Sequence, residues 1–523
     1  MLVHKESNSL VLKLRDPSRV TTHIPCARVV PMEGVGNVTQ VKFGLDEARV
    51  LRNLGINAPS PIRYFYQYPI KPPFKPFDHQ VTTSEFFTLN RRAICLNDMG
   101  TGKSLSVLWA ADYLMDKREV HRCIVVCPKS TMSSVWEDEV YTHFLSKRTV
   151  MVLSGDRAKR LKRLAEPADI YVINHDGLKV IEDELRKRTD IDLWVIDEAS
   201  AFRNAQSKRH KLLADLVRPT DWMWLLTGTP CPQEPTDAWG LARLMHGNRV
   251  TPAFFRQFKE QTMMQITQYK WVPKADAYEQ AYAILQPGIR FRKEDCLDLP
   301  AVTFQTRMCV LSPDQQAAYK TMISTLVANI RGVDITAANA AVKMLKLLQV
   351  CVGSIYDEHG QGYSIDASDR LKVLEEICEQ ANRKVIVFVP FTQALNQVAA
   401  HLRKRWTVAV VDGSTTDTQR KTIFHDFQHN PDPHILVAHP QTTAHGLTLT
   451  AADTTVWYAP ITSLEIFEQA NNRMNRPGQA HKMTIAMVAA TMLEQNLYQA
   501  LKGKQDVQNS VLALFKNELG LDT

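Results

Sequence analysis

No run of apolar residues in this 523-residue chain reaches the length of a membrane span, and its first residues lack the apolar core of a signal peptide. The expectation is a cytosolic protein with no membrane partner. Cysteine is sparse. Nine are scattered, none in a C-x-x-C pair and none grouped with histidine at zinc spacing. That excludes a disulfide framework and a zinc module, and leaves free thiols in a reducing compartment. There is no low-complexity tract and no short-period repeat, so neither a disordered tail nor a solenoid is indicated. Charge of either sign is not in large excess: 63 Lys and Arg against 55 Asp and Glu give +8, which is compatible with nucleic acid but too little to argue for it. Hydrophobic residues make up an ordinary 45%, enough at this length for about two to four domains with cores of their own.

One stretch organises the rest. Leu96-Asn97-Asp98-Met99-Gly100-Thr101-Gly102-Lys103-Ser104 follows the apolar run Ala93–Leu96 and precedes a helical pattern from Leu105. Strand, glycine loop and helix in that order form a P-loop, where backbone N–H groups and a helix N-terminus cradle phosphates. Gly100 and Gly102 let the backbone approach an anion without a Cβ in the way. Lys103 would reach the β- and γ-phosphates of ATP, and Ser104 would hold Mg²⁺. The pattern calls for Gly at position 97, where this chain has Asn. An ordinary strand–helix turn shares this outline, and the other motifs decide against it.

Residues 1–66 read as a small accessory module, with strands at 11–14 and 38–43 and a helix from Leu45 closed by Gly55. Its arginines, Arg15, Arg19, Arg28, Arg49, Arg52 and Arg63, suit either a phosphate-binding surface or a cover over the next domain. A Pro-rich connector, Tyr68–Pro76, leads to Phe77-Asp78-His79-Gln80, whose glutamine amide both donates and accepts and so matches an adenine edge. From 120 to 240, short apolar runs alternate with helical patterns: 123–127, 170–173, 193–196 and 222–226. Each ends in polar or small residues, the signature of buried parallel strands with functional loops at their C-terminal ends. Asp197-Glu198 follows the third run. Asp197 would hold Mg²⁺ through water and Glu198 would orient an attacking water, although two acids at a helix start are also favourable. A helical excursion begins near 240, and long helices span 311–348 with Met344, Leu345, Leu347 and Leu348 packed. A second α/β pattern follows, with strands at 384–389, 407–411, 434–438 and 455–458. It carries Thr443–Thr450 and Gln469–Gln479. In the latter, Arg473 and Arg476 lie three apart and would share a face on a helix. Paired guanidiniums suit a phosphate, though a solvated basic face is the commoner fate of such a pair.

Over residues 74 to 505 the chain resembles the Swi/Snf-type branch of the superfamily 2 helicases and translocases, as a compact phage or bacterial member. The family's D-E-M-G-L-G-K-T stands as Asn97 to Ser104, its D-E-A-H as Asp197 to Ser200 with Ser200 in place of histidine, and its L-T-G-T-P as Leu226 to Pro230. Its Q-A-x-x-R-x-x-R-x-G-Q is matched in full by Gln469 to Gln479.

The resemblance implies an α/β fold of two RecA-like parallel-sheet lobes with ATP between them, helical insertions and the small N-terminal accessory module. The corresponding boundaries are 1–66, 67–300, a helical linker over 301–366, and 367–523. ATP and Mg²⁺ are the implied cofactors, with Lys103, Asp197, Glu198, Arg473 and Arg476 catalytic and Arg476 the arginine finger. Gln80, Gly100, Thr101, Gly102, Lys103, Ser104, Gly446 and Gln469 would contact nucleotide, and Ser104 and Asp197 the metal. Lys129, Asn174, Phe391 and Thr443 would lie in loops that follow a nucleic-acid strand. The implied partners are duplex or branched DNA and replication or recombination proteins. An RNA helicase and an inactive DNA-binding scaffold of the same fold are the competing readings.

Overall fold

The apolar runs of the sequence become strands, and every pairing within the two large sheets is parallel. The computed structural model describes residues 1–72, 74–228, 230–231, 234–267, 271–328, 337–356, 362–443 and 448–503. Its chain divides into two units, one formed by Met1–Cys231 with Pro235–Cys296 and the other running from Leu297 onward.

In the first unit, a four-stranded antiparallel sheet comes from Leu2–His4 (β1), Ser9–Leu12 (β2), Arg28–Met32 (β3) and Gly36–Lys42 (β4), ordered β1-β2-β4-β3. The helix Leu45–Asn53 follows. It ends where Gly55 takes φ +79°, with Gly55 N–H on the Arg52 carbonyl and Ile56 N–H on the Leu51 carbonyl, so a left-handed glycine satisfies the last carbonyls as the sequence indicates.

The large sheet contains Arg92–Cys95 (β5), Arg122–Cys127 (β6), Val150–Val152 (β7), Ile170–Asn174 (β8), Ile191–Asp197 (β9), Trp222–Leu226 (β10) and Gly288–Ile289 (β11), ordered β11-β5-β10-β9-β6-β8-β7. Its strands are buried on both faces. Cys123, Val125, Cys127, Cys95 and Trp224 join one apolar cluster, while Ile124, Val126, Ile94 and Leu225 join the other. Side-chain alternation in a sheet covered on both sides produces this split, and it is why the strands read as unbroken apolar runs.

The N-terminal module is not walled off from this sheet. Leu10, Val41, Phe43, Leu45, Leu51 and Ile62 belong to the same cluster as Trp109, Val125 and Trp224. Four of its arginines have specific partners within the unit, and Arg49 and Arg63 are half-buried. Arg19 donates to the Leu54 carbonyl (2.9 Å), Arg52 to the Ala58 carbonyl (2.7 Å), Arg49 to the Thr88 carbonyl (2.7 Å), and Arg63 to Glu85 (2.7 Å).

The second unit holds Val302–Met308 (β12), Lys384–Phe388 (β13), Val408–Val411 (β14), Ile435–Ala438 (β15), Ala452–Trp457 (β16) and Met483–Ala489 (β17), ordered β12-β17-β16-β13-β15-β14. Two elements here depart from the sequence-based expectation. Val302–Met308 is a strand of this sheet and not the start of a helical linker, paired along its whole length with Met483–Ala489. The long helices are Pro313–Ala328 and Ala337–Cys351, and Met344, Leu347 and Leu348 are buried while Leu345 is exposed. A fully buried ion pair fastens this unit internally. Arg370 reaches both carboxylate oxygens of Glu494 at 2.7 Å and also donates to the Tyr458 carbonyl, joining the helices Ser368–Gln380 and Met492–Lys502 to the end of β16. Among the described residues, no helix is long and apolar enough to cross a membrane.

Because the module shares a core with the large sheet, deleting residues 1–66 uncovers several large apolar side chains, each worth about 1.5–3 kcal/mol. That sum rivals the roughly 5–15 kcal/mol of total stability usual for a domain. The truncated chain should therefore melt well below the full chain or fail to stay soluble. An unshifted circular-dichroism melt would contradict the shared core.

Candidate active site

Three neighbouring strands bring the sequence motifs to one level. Leu226 of β10 is in register with Cys95 of β5 on one side and with Asp197 of β9 on the other. The P-loop leaves β5 immediately after that level, and Glu198 leaves β9 there. Gly100 takes φ +84° and Gly102 φ +78°, and Gly102 caps the helix Lys103–Asp116, whose first turn holds Ser104. Within the loop, Thr101 Oγ1 donates to the Asp98 carbonyl (2.8 Å). Lys103 Nζ donates to the carbonyls of Asn97 (2.8 Å) and Asp98 (3.2 Å).

Asn97, the departure from the P-loop pattern, is a tie. Its Nδ2 donates to Thr83 Oγ1 (2.9 Å) and its Oδ1 accepts the Phe291 N–H (2.9 Å). A glycine could make neither bond. Gly228, after β10, lies against the loop, where an added Cβ would touch Asn97 and Met99.

The helix Asp78–Leu89 runs beside the P-loop. His79 Nε2 donates to the Thr101 carbonyl (2.9 Å), and burial holds its pKa below the usual histidine value, which keeps it neutral. Its ring stacks on Phe77, with centroids 5.5 Å apart and planes 18° from parallel. Gln80 is buried; its Oε1 accepts the Phe77 N–H (3.1 Å) and its Nε2 lies where a Cβ on Gly102 would stand. The glutamine proposed to face adenine is thus also a helix cap and a wall of the P-loop.

At the other carboxylate motif, burial raises the Asp197 pKa, opposed by a hydrogen bond from Trp136, the charge of Lys103 and the Glu198 N–H. Trp136 Nε1 donates to Asp197 Oδ2 at 3.0 Å from a π-helical turn, Met132–Glu137. Such turns are rare and recur at functional sites. Glu198 holds φ +50°, a left-handed conformation uncommon outside glycine and concentrated at active sites. His175 Nε2 donates to the Asp197 carbonyl (2.9 Å) and meets Phe202 edge-on. Burial drives its pKa down to about 4.

Lys129 is exposed past the end of β6, and Asn174 ends β8 with its amide oxygen accepting from Arg160 (3.0 Å). The second unit corrects several expectations. The helix Leu464–Asn471 stops before Arg473, so Arg473 and Arg476 do not share a helix face. Arg473 is buried, its Nε on the Gln469 carbonyl (2.9 Å), whereas Arg476 is half-buried and its Nη1 donates to Thr448 Oγ1 (3.2 Å). Gln469 is buried beside Glu465. Thr443 lies on a short helix, not a loop, fully buried with its hydroxyl on the Pro440 carbonyl (3.1 Å). Phe391 packs into the second core and is only 9% exposed. Gly446 lies outside the described residues.

Residues 79–354 match the model of the SNF2-related domain, and residues 369–478 match that of the helicase conserved C-terminal domain. The chain belongs to the SNF2-related family. Among its relatives, the "Putative protein p41" of Acyrthosiphon pisum secondary endosymbiont phage 1 is 24% identical over 80% of this chain and 94% of its own length. The "Probable ATP-dependent DNA helicase CHR23" of Arabidopsis thaliana is 22% identical over 80% of this chain, which spans only 41% of that protein. A solved Sulfolobus solfataricus SWI2/SNF2 ATPase core in complex with dsDNA is similar at 22% identity and TM-score 0.41, covering 87% of this chain and 97% of that one.

In this SNF2-related chain, sequence reading missed Trp136, His175 and Thr83. Each acts through a contact formed only on folding, and Trp136 stands 61 positions from the carboxylate it touches. The one local signal was the position of His175 directly after a strand that ends at the motif-bearing edge.

With a folded pKa near 4 against 6.5 in the open chain, His175 binds its proton more readily when unfolded. Its contribution is therefore present above about pH 6.5 and falls away toward pH 4, by up to about 3 kcal/mol. His175→Gln keeps an N–H for the Asp197 carbonyl and does not titrate. Urea unfolding at stepped pH should give a shallower acid slope for the variant, and equal slopes would contradict the assignment.

Proposed function

We propose that the chain is an ATP-dependent DNA translocase or helicase, hydrolysing ATP to move on or remodel duplex or branched DNA in the cytoplasm of a bacterium or phage-infected host. The alignment of the P-loop with Asp197 and Glu198 at one sheet edge carries this reading. Lys103 is near enough to Asp197 for its charge to stabilise the carboxylate. Membership of the SNF2-related family and the likeness to an ATP-dependent DNA helicase support it.

The P-loop amides and Lys103 bind the phosphate chain. When nucleotide arrives, Lys103 exchanges the Asn97 and Asp98 carbonyls for phosphate oxygens, so the loop is already shaped around a cation–oxygen contact. Ser104 and Asp197 are hard oxygen donors that suit Mg²⁺. Bound there, the ion would offset phosphate charge. Glu198 orients the attacking water, and its left-handed backbone fixes the direction of the carboxylate. Arg476 is the arginine finger in this reading, because it is half-buried whereas Arg473 is only 3% exposed. Lys129 and Asn174 contact DNA phosphates, so binding is indifferent to base sequence.

ATP turnover measured without nucleic acid and with duplex DNA, forked DNA and RNA tests the reading. DNA should stimulate, RNA should not, and no turnover under any condition would favour an inactive scaffold. Lys103→Ala should abolish nucleotide binding or turnover, and Glu198→Gln should bind ATP yet hydrolyse it poorly. Arg476→Ala should lower turnover by roughly 10³- to 10⁵-fold with little loss of ATP affinity. If about five phosphates are neutralised, raising salt from roughly 50 to 200 mM should weaken DNA binding about 10²- to 10³-fold.

A further inference from the structure

We propose that the N-terminal module is a clamp on the nucleotide site: Arg63 and its neighbours hold the helix Asp78–Leu89 in the position that shapes the P-loop, and so set nucleotide affinity. The helix carries two stripes of contacts. On one, Asp78, Thr82 and Glu85 stand at i, i+4 and i+7, and all three bind the single guanidinium of Arg63, at 3.0, 2.6 and 2.7 Å. Glu85 also accepts the Ser60 N–H (2.6 Å), Ser60 Oγ bonds Thr88 Oγ1 (2.7 Å), and Arg49 donates to the Thr88 carbonyl (2.7 Å). The module thus grips the helix from its first turn to its last.

The far side of the helix, roughly 140° around its axis, holds the P-loop. His79 donates to the Thr101 carbonyl, Gln80 lies against Gly102, and Thr83 accepts from Asn97. Positions 79, 80 and 83 are interleaved with 78, 82 and 85 on one rigid turn after another, so a shift felt on one stripe moves the other. Gly102 and Asn97 bracket the segment that would receive phosphates. Glu85 is 8% exposed on its side chain and Arg63 28%, so the pair is screened far less than a surface ion pair. A planar guanidinium that meets three acceptors at once fixes direction as well as distance, which an ammonium cannot do.

This inference rests on the ATP-site reading above. The test compares binding of a fluorescent ATP analogue with Mg²⁺, and steady-state turnover, in the full-length chain and its variants. Arg63→Ala should weaken analogue binding and raise the KM for ATP by about 10-fold, the scale of one lost charge-assisted hydrogen bond. The turnover at saturating ATP should stay within about twofold. Arg63→Lys should recover only part of the affinity. Glu85→Gln, which keeps an acceptor for the Ser60 N–H, should move affinity in the same direction as Arg63→Ala and serves where the alanine variant folds poorly. Arg19→Ala is the control, since Arg19 Nη2 bonds the Leu54 carbonyl inside the module. It should leave nucleotide affinity unchanged. Affinity equal to wild type in both Arg63→Ala and Glu85→Gln would overturn the clamp. So would losses of affinity and turnover that merely track the unfolded fraction seen by circular dichroism. If wild type binds no nucleotide, or Lys103→Ala binds it as well as wild type, the site reading itself fails, a result distinct from failure of the clamp.

Discussion

Everything in the first unit answers to the parallel pairing of β5, β10 and β9. Parallel strands point their C-terminal ends the same way, so loops separated by more than a hundred residues converge on one edge. With Cys95, Leu226 and Asp197 at one level, the cationic P-loop and the carboxylates arrive together without any local sequence encoding their proximity. The remainder of the unit protects this convergence. Buried apolar residues fix the strands, Asn97 ties the loop to two other segments, and Trp136 and His175 hold Asp197 from its side chain and its backbone.

The parts of the fold legible in the sequence were those whose signal is local. A central parallel strand is an apolar run, so 123–127, 170–173, 193–196 and 222–226 declare themselves, as does the glycine loop before Lys103. The parts that were not legible lie at edges or depend on partners. Val150–Val152 and Gly288–Ile289 are too short to show a period. Val302–Met308 is an edge strand with mostly exposed side chains, and its alternation of Val302, Phe304 and Met308 with Thr303, Gln305 and Arg307 is overshadowed by the helical pattern that follows. The helix before Arg473 gives no stop signal at its last residue, because the Pro477-Gly478 pair comes six residues later. At Asn97 the sequence marked a departure, and only the bonds to Thr83 and Phe291 gave it a reason.

The arginines of the N-terminal module illustrate the same limit. Composition sees six positive charges and suggests an electrostatic surface. The structure gives Arg19, Arg49, Arg52 and Arg63 specific carbonyl and carboxylate partners. A guanidinium with fixed acceptors fastens one element to another, even where, as at Arg19 and Arg52, much of it still meets solvent. Arg49 and Arg63 thereby fasten the module to the helix Asp78–Leu89.

The pairing of Val302–Met308 with Met483–Ala489 also bears on how the chain comes to be folded during synthesis. The strand made first in the second unit has as its partner the strand made last, and that late strand also covers the edge of Ala452–Trp457. Until it leaves the ribosome, the nascent sheet carries an open, strongly apolar edge next to Trp457, and Val302–Met308 has no neighbour in its own chain. Open edges of this kind invite pairing with other chains. The large sheet of the first unit differs, since all its strands but the two-residue β11 have been made once β10 is complete. The two large sheets thus close at different stages, the first nearly whole once β10 is made and the second waiting on a single late segment. That wait places the second half's greatest exposure to aggregation in the interval between translation of Trp457 and of Ala489.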